Sequence, residues 1–279
     1  MRRTFVLPAA LAVLLCAGCG ATAEAGASGD GAGSGGTAPS APSAPSAPAV
    51  DHADTVRSAA AATRATSART SQTMDLTTAT AAFTITVVGD FDMAGDKGSL
   101  AVDLPGGAIS HADEVFADGV VHVRGAGGVP AGSWASLARD KAESHYILRA
   151  PLNDPEHVLE QIPALARVTR GEEEDLDGVR AVHYRGTLPY EALTSRIAAD
   201  KRAPLDTLRT QLGGELPVTT DVWVDGQGRV VRTRSTLDVG GVKSVTTVAF
   251  TDLGKPVRVE VPADRDTVPA SSFSGVLTG

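Results

Sequence analysis

Phe83-Thr84-Ile85-Thr86-Val87-Val88-Gly89-Asp90-Phe91-Asp92-Met93 is the stretch that decides the architecture. Phe83, Ile85, Val87, Phe91 and Met93 fall on one side of a period-two pattern, and Thr84, Thr86, Asp90 and Asp92 on the other. Successive side chains of a strand point to opposite faces, so the alternation predicts a β-strand buried on one side only. The turn Ala94-Gly95-Asp96-Lys97-Gly98 leads into a second alternating run, in which Leu100, Val102 and Leu104 interleave with Ala101 and Asp103. Pro105-Gly106-Gly107 stops it. Two runs of this kind joined by a short turn argue for an antiparallel sheet with one wet face.

The same period returns on both sides of a helical insert. Val115-Phe116, an Asp118-Gly119 turn and residues 120–124 read as a hairpin, and residues 134–137 as a further strand. Asp154-Pro155 then supplies an N-cap followed by proline at the first helical position. Val158, Leu159, Ile162 and Leu165 share one helical face, which Pro163 ends early. Residues 167–172 and 179–188 read as strands joined by an acidic loop, Glu172-Glu173-Glu174-Asp175, that closes on Asp177-Gly178. Two short helices follow at 189–200 and 204–212. Strands resume at 218–225, 229–239, 243–253 and 257–261. Upstream, residues 51–69 read as an Ala-rich helix docking through Val56 and small side chains. No regular strand–helix alternation suggests a parallel sheet, so the expected class is α+β, a large antiparallel sheet packed on a few short helices.

The N-terminus places the domain. Met1-Arg2-Arg3 is cationic, residues 5–16 are apolar, and small residues precede Cys19. That order is a secretory leader, and its apolar run is shorter than the roughly 20 residues a spanning helix needs. Cys16-Ala17-Gly18-Cys19 resembles a bacterial lipobox, with Leu15 one place further back than the usual leucine. The resemblance implies that Cys19 carries a diacylglyceryl thioether and becomes the mature N-terminus. Residues 20–50 are nearly all Gly, Ala, Ser, Thr and Pro, ending in an Ala-Pro-Ser repeat. Such a segment buries too little to offset the entropy of ordering, and it reads as a tether with about 30 Å of reach. The organisation expected is therefore a lipoprotein signal peptide at 1–18, a lipidated Cys19 and tether at 19–50, and a single domain at 51–279. The location expected is the extracytoplasmic face of the cell membrane.

Charge and chemistry exclude more than they assign. The net charge is −8, and loss of Arg2 and Arg3 with the leader takes it to −10. An acidic domain of this kind has no electrostatic footprint for nucleic acid, so membrane attachment falls to the lipid on Cys19. Both cysteines lie in the leader region, which leaves the domain without a disulfide or a free thiolate. Gly31-Ala32-Gly33-Ser34-Gly35-Gly36 matches a dinucleotide fingerprint but has no strand before it and no helix after it. The six histidines have no paired spacing for zinc, and no GxSxG elbow presents a serine. The expectation is no catalytic residue, no metal and no cofactor. Aromatic residues make up only 4% of the chain. A sheet lined by medium aliphatics with few rings to fill it is able to leave a cavity, against the default of a close-packed core.

Three segments carry a resemblance. They are Asp177-Gly178-Val179-Arg180-Ala181-Val182-His183-Tyr184, Pro217-Val218-Thr219-Thr220-Asp221-Val222-Trp223-Val224-Asp225-Gly226-Gln227-Gly228-Arg229, and Phe250-Thr251-Asp252-Leu253-Gly254-Lys255-Pro256-Val257. With the lipobox, the tether and the early helix, they resemble the LolA-like superfamily, in particular actinobacterial lipoproteins of the LppX/LprA/LprF/LprG kind. The resemblance implies a curved, half-open sheet wrapped over helices, with a cavity for the acyl chains of lipids or glycolipids. The lining candidates are then Phe83, Ile85, Val87 and Phe91, with Leu100, Val102 and Leu104 beside them. Val158, Leu159 and Ile162 would form the opposite wall or a lid. The function expected is binding or transfer of acylated lipids in the envelope, without catalysis. The alternatives are a sensor or partner-binding module of the same fold, and a structural envelope protein.

Overall fold

Among the described residues, twelve strands form one continuous sheet with two free edges, curved and not closed into a barrel. The computed structural model describes residues 51–105, 110–126 and 129–269; the leader, Cys19 and the tether lie outside the described residues. Helix α1 (Ala53–Arg64) opens the domain and is followed by β1 (Ser67–Thr77), β2 (Ala82–Asp92), β3 (Lys97–Asp103), β4 (His111–Ala117), β5 (Val120–Arg124) and β6 (Trp134–Ala138). The insert contributes α2 (Pro155–Gln161) before β7 (Ala166–Leu176) and β8 (Val179–Thr187). Then come α3 (Tyr190–Thr194), α4 (Ala199–Gln211), β9 (Val218–Asp225), β10 (Val230–Val239), β11 (Val242–Thr251) and β12 (Thr267–Pro269).

The order across the sheet is β12-β6-β5-β4-β3-β2-β1-β11-β10-β9-β8-β7. Two antiparallel meanders therefore meet at the long central pair β1–β11, where Thr70 faces Phe250 and Met74 faces Thr246. One pairing is parallel, β12 against β6, and it covers that edge with three residues. The alternation read at 83–93 holds: Ile85, Val87 and Phe91 are buried in the main core. Trp223 lies on the opposite face from Val222 and Val224, in a small separate cluster with Ala181 and Val231.

Four local expectations are corrected. The first helix stops at Arg64, and Ser67-Ala68-Arg69 already belong to β1, pairing with Asp92, Phe91 and Asp90. The acidic run Glu172-Glu173-Glu174-Asp175 is not a loop but the last part of β7, an edge strand with two register breaks. Charge and bulges on an unpaired edge discourage pairing with another chain, which is a physical reason for acid there. Residues 257–261 form no strand; the chain crosses irregularly and regains pairing only at β12. The helix expected at 204–212 begins at Ala199, with Pro204 inside it.

The helices cover one face of the sheet. On α1, Val56, Ala59, Ala60 and Thr63 are buried, so small side chains let the helix approach closely. Helix α2 starts as its sequence predicts: the Asp154 carboxylate accepts from the Glu156 N–H at 2.9 Å, and Pro155 takes the first position. After Gln161 it tightens into a 3₁₀ turn at Ile162–Ala164, where Pro163 sits.

Candidate functional site

All ten lining candidates belong to one apolar cluster. Ile85, Val87, Phe91, Leu100, Val102, Leu159 and Ile162 are at most 3% exposed and pack on one another. Phe83, Leu104 and Val158 are half-buried at its margin. The structure thus places the sheet residues and the α2 residues in one packed interior.

The open apolar space lies at one end of that interior. A pocket of about 250 Å³ sits where β1, β10 and β11 meet α4 and the irregular segment 142–154. Its floor is Met74 and Leu76 on β1, Leu237 on β10, and Val242 and Ser244 on β11. His145, Tyr146 and Ile147 cover one side, and Ile197, Pro204 and Leu205 the other, with Lys201 among the lining side chains. None of the ten candidates lines it, but two stand next to residues that do. Phe83 pairs across the strands with Leu76 and packs edge-on against Tyr146, ring centroids 6.3 Å apart. Ile85 pairs with Met74. Residues 145–147 show no periodicity, and Pro204 reads as a helix start, so the sequence offers no signal for this wall.

Segment 142–154 is a strap held at several points. Ser144 exchanges backbone hydrogen bonds with Arg196 (2.7 Å) and Ala198 (2.9 Å). Farther along, Arg149 Nε donates to Asn153 Oδ1 (3.1 Å), and Asn153 Nδ2 donates to Glu114 Oε1 (2.9 Å) on the inner face of β4. Burial pushes the Glu114 carboxyl up to about 8 and lowers the Arg149 guanidinium from its usual range. Leu148, Leu152 and Asn153 all adopt left-handed backbone conformations, costly for residues with a Cβ. The strap is therefore fixed by tertiary bonds rather than by its own propensity.

A larger concavity, about 700 Å³, opens at the other end of the sheet beside Phe116 and Met93. Its charges already satisfy one another. Arg139 pairs with Asp96, with Asp154 at 2.6 Å and with Glu156 at 3.2 Å, and lies over the Phe91 and Phe116 rings. Arg64 takes Glu156 at 2.7 Å. Its walls are charged and mutually paired, whereas the smaller pocket is walled mainly by apolar side chains. On the outer face, His183 stacks on Trp223 and meets Asp221 at 2.7 Å, while Trp223 Nε1 donates to Glu174 at 3.1 Å. Among the described residues no group of three or more His, Cys, Asp or Glu side chains is placed to hold a metal ion. No helix of the described residues is long and apolar enough to cross a membrane.

No family model matches the chain. In sequence, 118 residues are 32% identical to an uncharacterized 31.2 kDa protein of Streptomyces griseus, encoded between rplA and rplJ; the match covers 41% of this chain and 38% of that relative. In structure, the chain resembles LprF from Mycobacterium bovis at 12% identity and TM-score 0.47, over 76% of this chain and 96% of that one. It resembles the lipoprotein LppX of Mycobacterium tuberculosis at 12% identity and TM-score 0.47, over 75% and 97%. A LolA superfamily protein of Nitrosomonas europaea is similar at 11% identity and TM-score 0.30, over 79% and 99%.

Proposed function

We propose that this protein is a lipid-anchored, non-catalytic envelope protein that binds acylated lipids or glycolipids through the apolar pocket between β1, β10, β11 and the strap. The observation that carries the reading is the composition of that pocket's walls: Met74, Leu76, Ile147, Leu205, Leu237 and Val242 converge on one space. Burying an alkyl chain there supplies about 0.8 kcal/mol per methylene, with no need for a charged partner. Pockets that bury drug-sized ligands measure about 300–1,000 Å³, so this one takes part of one chain, and the lining candidates behind it are where further chain would go. On this reading Cys19 anchors the protein at the extracytoplasmic face, residues 20–50 are the tether, and 51–279 is the working domain. A competing reading, a partner-binding module of the same fold, draws on one observation: Phe91, Leu100, Val102 and Leu159 fill the sheet's interior.

The test is native mass spectrometry of the full chain carrying Cys19→Ser, extracted without detergent from an actinobacterial host. The expected result is a stoichiometric acyl-lipid adduct that is lost when Leu76 and Val242 are both changed to Glu. An adduct that survives those changes places the lipid elsewhere. A bare mass favours the partner-binding module.

A further inference from the structure

We infer that Gln72 and Thr246, buried next to the Met74 and Ser244 floor of the apolar pocket, form a carbonyl-recognising subsite that fits the ester group of an acylated lipid. This rests on the lipid-binding reading above. Met74 and Ser244 line the pocket on β1 and β11. Two residues further along each strand, away from the β10–β11 turn, the same face carries Gln72 and Thr246. The register sets Thr246 directly opposite Met74 on one side and Ser235 on the other. Gln72 is its diagonal neighbour, facing Val248, and diagonal pairs lie about 7–8 Å apart, within reach of a long side chain.

Gln72 and Thr246 are 3% and 4% exposed. Gln72 Nε2 and Thr246 Oγ1 have no hydrogen-bond partner among the described residues. The next polar pair on this face does not share that condition, since Ser235 and Thr220 bond each other at 3.0 Å. A buried polar group left unpaired costs more than an apolar side chain of the same shape, so two adjacent ones need a reason. Packing is not that reason, because Val87, Met74 and Val248 occupy equivalent neighbouring positions. The pair does offer N–H and O–H donors. An ester carbonyl accepts such bonds, whereas an alkyl chain cannot. Beside the pair stands a space walled by Met74, Leu237 and Leu205, suited to the chain that such a carbonyl carries.

The test compares 1,2-dioleoylglycerol with its dioleyl ether analogue, which keeps the chains and lacks the carbonyls. Both are titrated into the full chain carrying Cys19→Ser. The subsite predicts that the diester binds about tenfold tighter, one charge-neutral hydrogen bond to an otherwise unpaired donor being worth about that factor. Gln72→Leu with Thr246→Val should bring the diester down to the level of the diether. The same pair should leave diether binding unchanged and leave the urea midpoint equal or higher. If the double variant does not fold, each single variant is titrated and about half the effect, on a logarithmic scale, is expected from each. Equal binding of diester and diether overturns the ester subsite while leaving the lipid reading intact, as does an equal loss of both in the variants. Binding of neither probe overturns both readings together.

Discussion

Val230 N–H donates to the Thr63 hydroxyl at 2.8 Å, and that hydroxyl stands 3.3 Å from the Val230 carbonyl, so one side chain ties α1 to the sheet beside the register break in the β9–β10 pair. Thr63 is fully buried. Thr63→Val keeps the shape and strands a buried N–H, a loss of about 1–3 kcal/mol. Urea unfolding should show that loss for Thr63→Val and recover most of it for Thr63→Ser, which restores the oxygen. Equal losses would mean that packing, not the bond, holds α1 in place.

The pH profile of stability should carry the mark of Glu114. Its carboxyl is raised from 4.5 to about 8 by burial, so between those values the folded state holds a proton that the unfolded state has released. Stability then falls as pH rises through that window, with the full penalty reached above about 8. Glu114→Gln should flatten the fall between pH 5 and 8 and be relatively more stable than the parent at the upper end. Urea midpoints of both proteins at three pH values decide it. Parallel curves would show that the buried carboxyl does not titrate in this range.

Most of the strand plan was legible in the sequence because half-buried strands alternate, and α2 was legible because Asp154, Pro155 and Pro163 each act locally. What failed were boundaries where two influences compete. Ser67-Ala68-Arg69 follow an Ala-rich helix and look like its last turn, yet cross-strand pairing with Asp90–Asp92 claims them. Glu172 to Asp175 look like a solvated loop, yet they extend an edge strand whose outer side faces water. The pocket itself was not legible. Phe83 and Ile85 only pair with its lining residues Leu76 and Met74, and one wall comes from a strap and from Lys201, Pro204 and Leu205, brought there by tertiary contacts that leave no trace in local periodicity.

Core and pocket positions should separate cleanly under truncation. Leu159 is fully buried between α2 and the sheet, so Leu159→Ala should cost about 2–5 kcal/mol. Leu76 already borders an open space and is half-buried, so Leu76→Ala should cost less than about 2 kcal/mol while enlarging the pocket. Thermal melts of the two variants check the order. If Leu76→Ala proves the costlier, the pocket wall is part of the stabilising core.

The sheet also makes a sharp steric prediction at Gly89. A Cβ placed there would lie 1.9 Å from the Ser99 carbonyl oxygen and 2.9 Å from the Leu100 Cα, both backbone atoms of the adjoining strand β3. Backbone cannot swing aside as a flexible side chain can, so β2 and β3 must separate locally to admit a methyl group. Overpacking of side chains alone costs about 1–3 kcal/mol, and displacing a strand should reach the top of that range or pass it. Gly119 in the β4–β5 turn is the useful control. Nothing lies within 4 Å of its Cβ position, but its φ of +72° disfavours any L side chain by about 1–2 kcal/mol. Gly89→Ala should therefore destabilise more than Gly119→Ala, and amide exchange should speed up along residues 86–92 and 97–103 in the first variant only. A smaller effect at Gly89, or exchange that quickens evenly across the domain, would show that β2 and β3 are not held as close as their register implies.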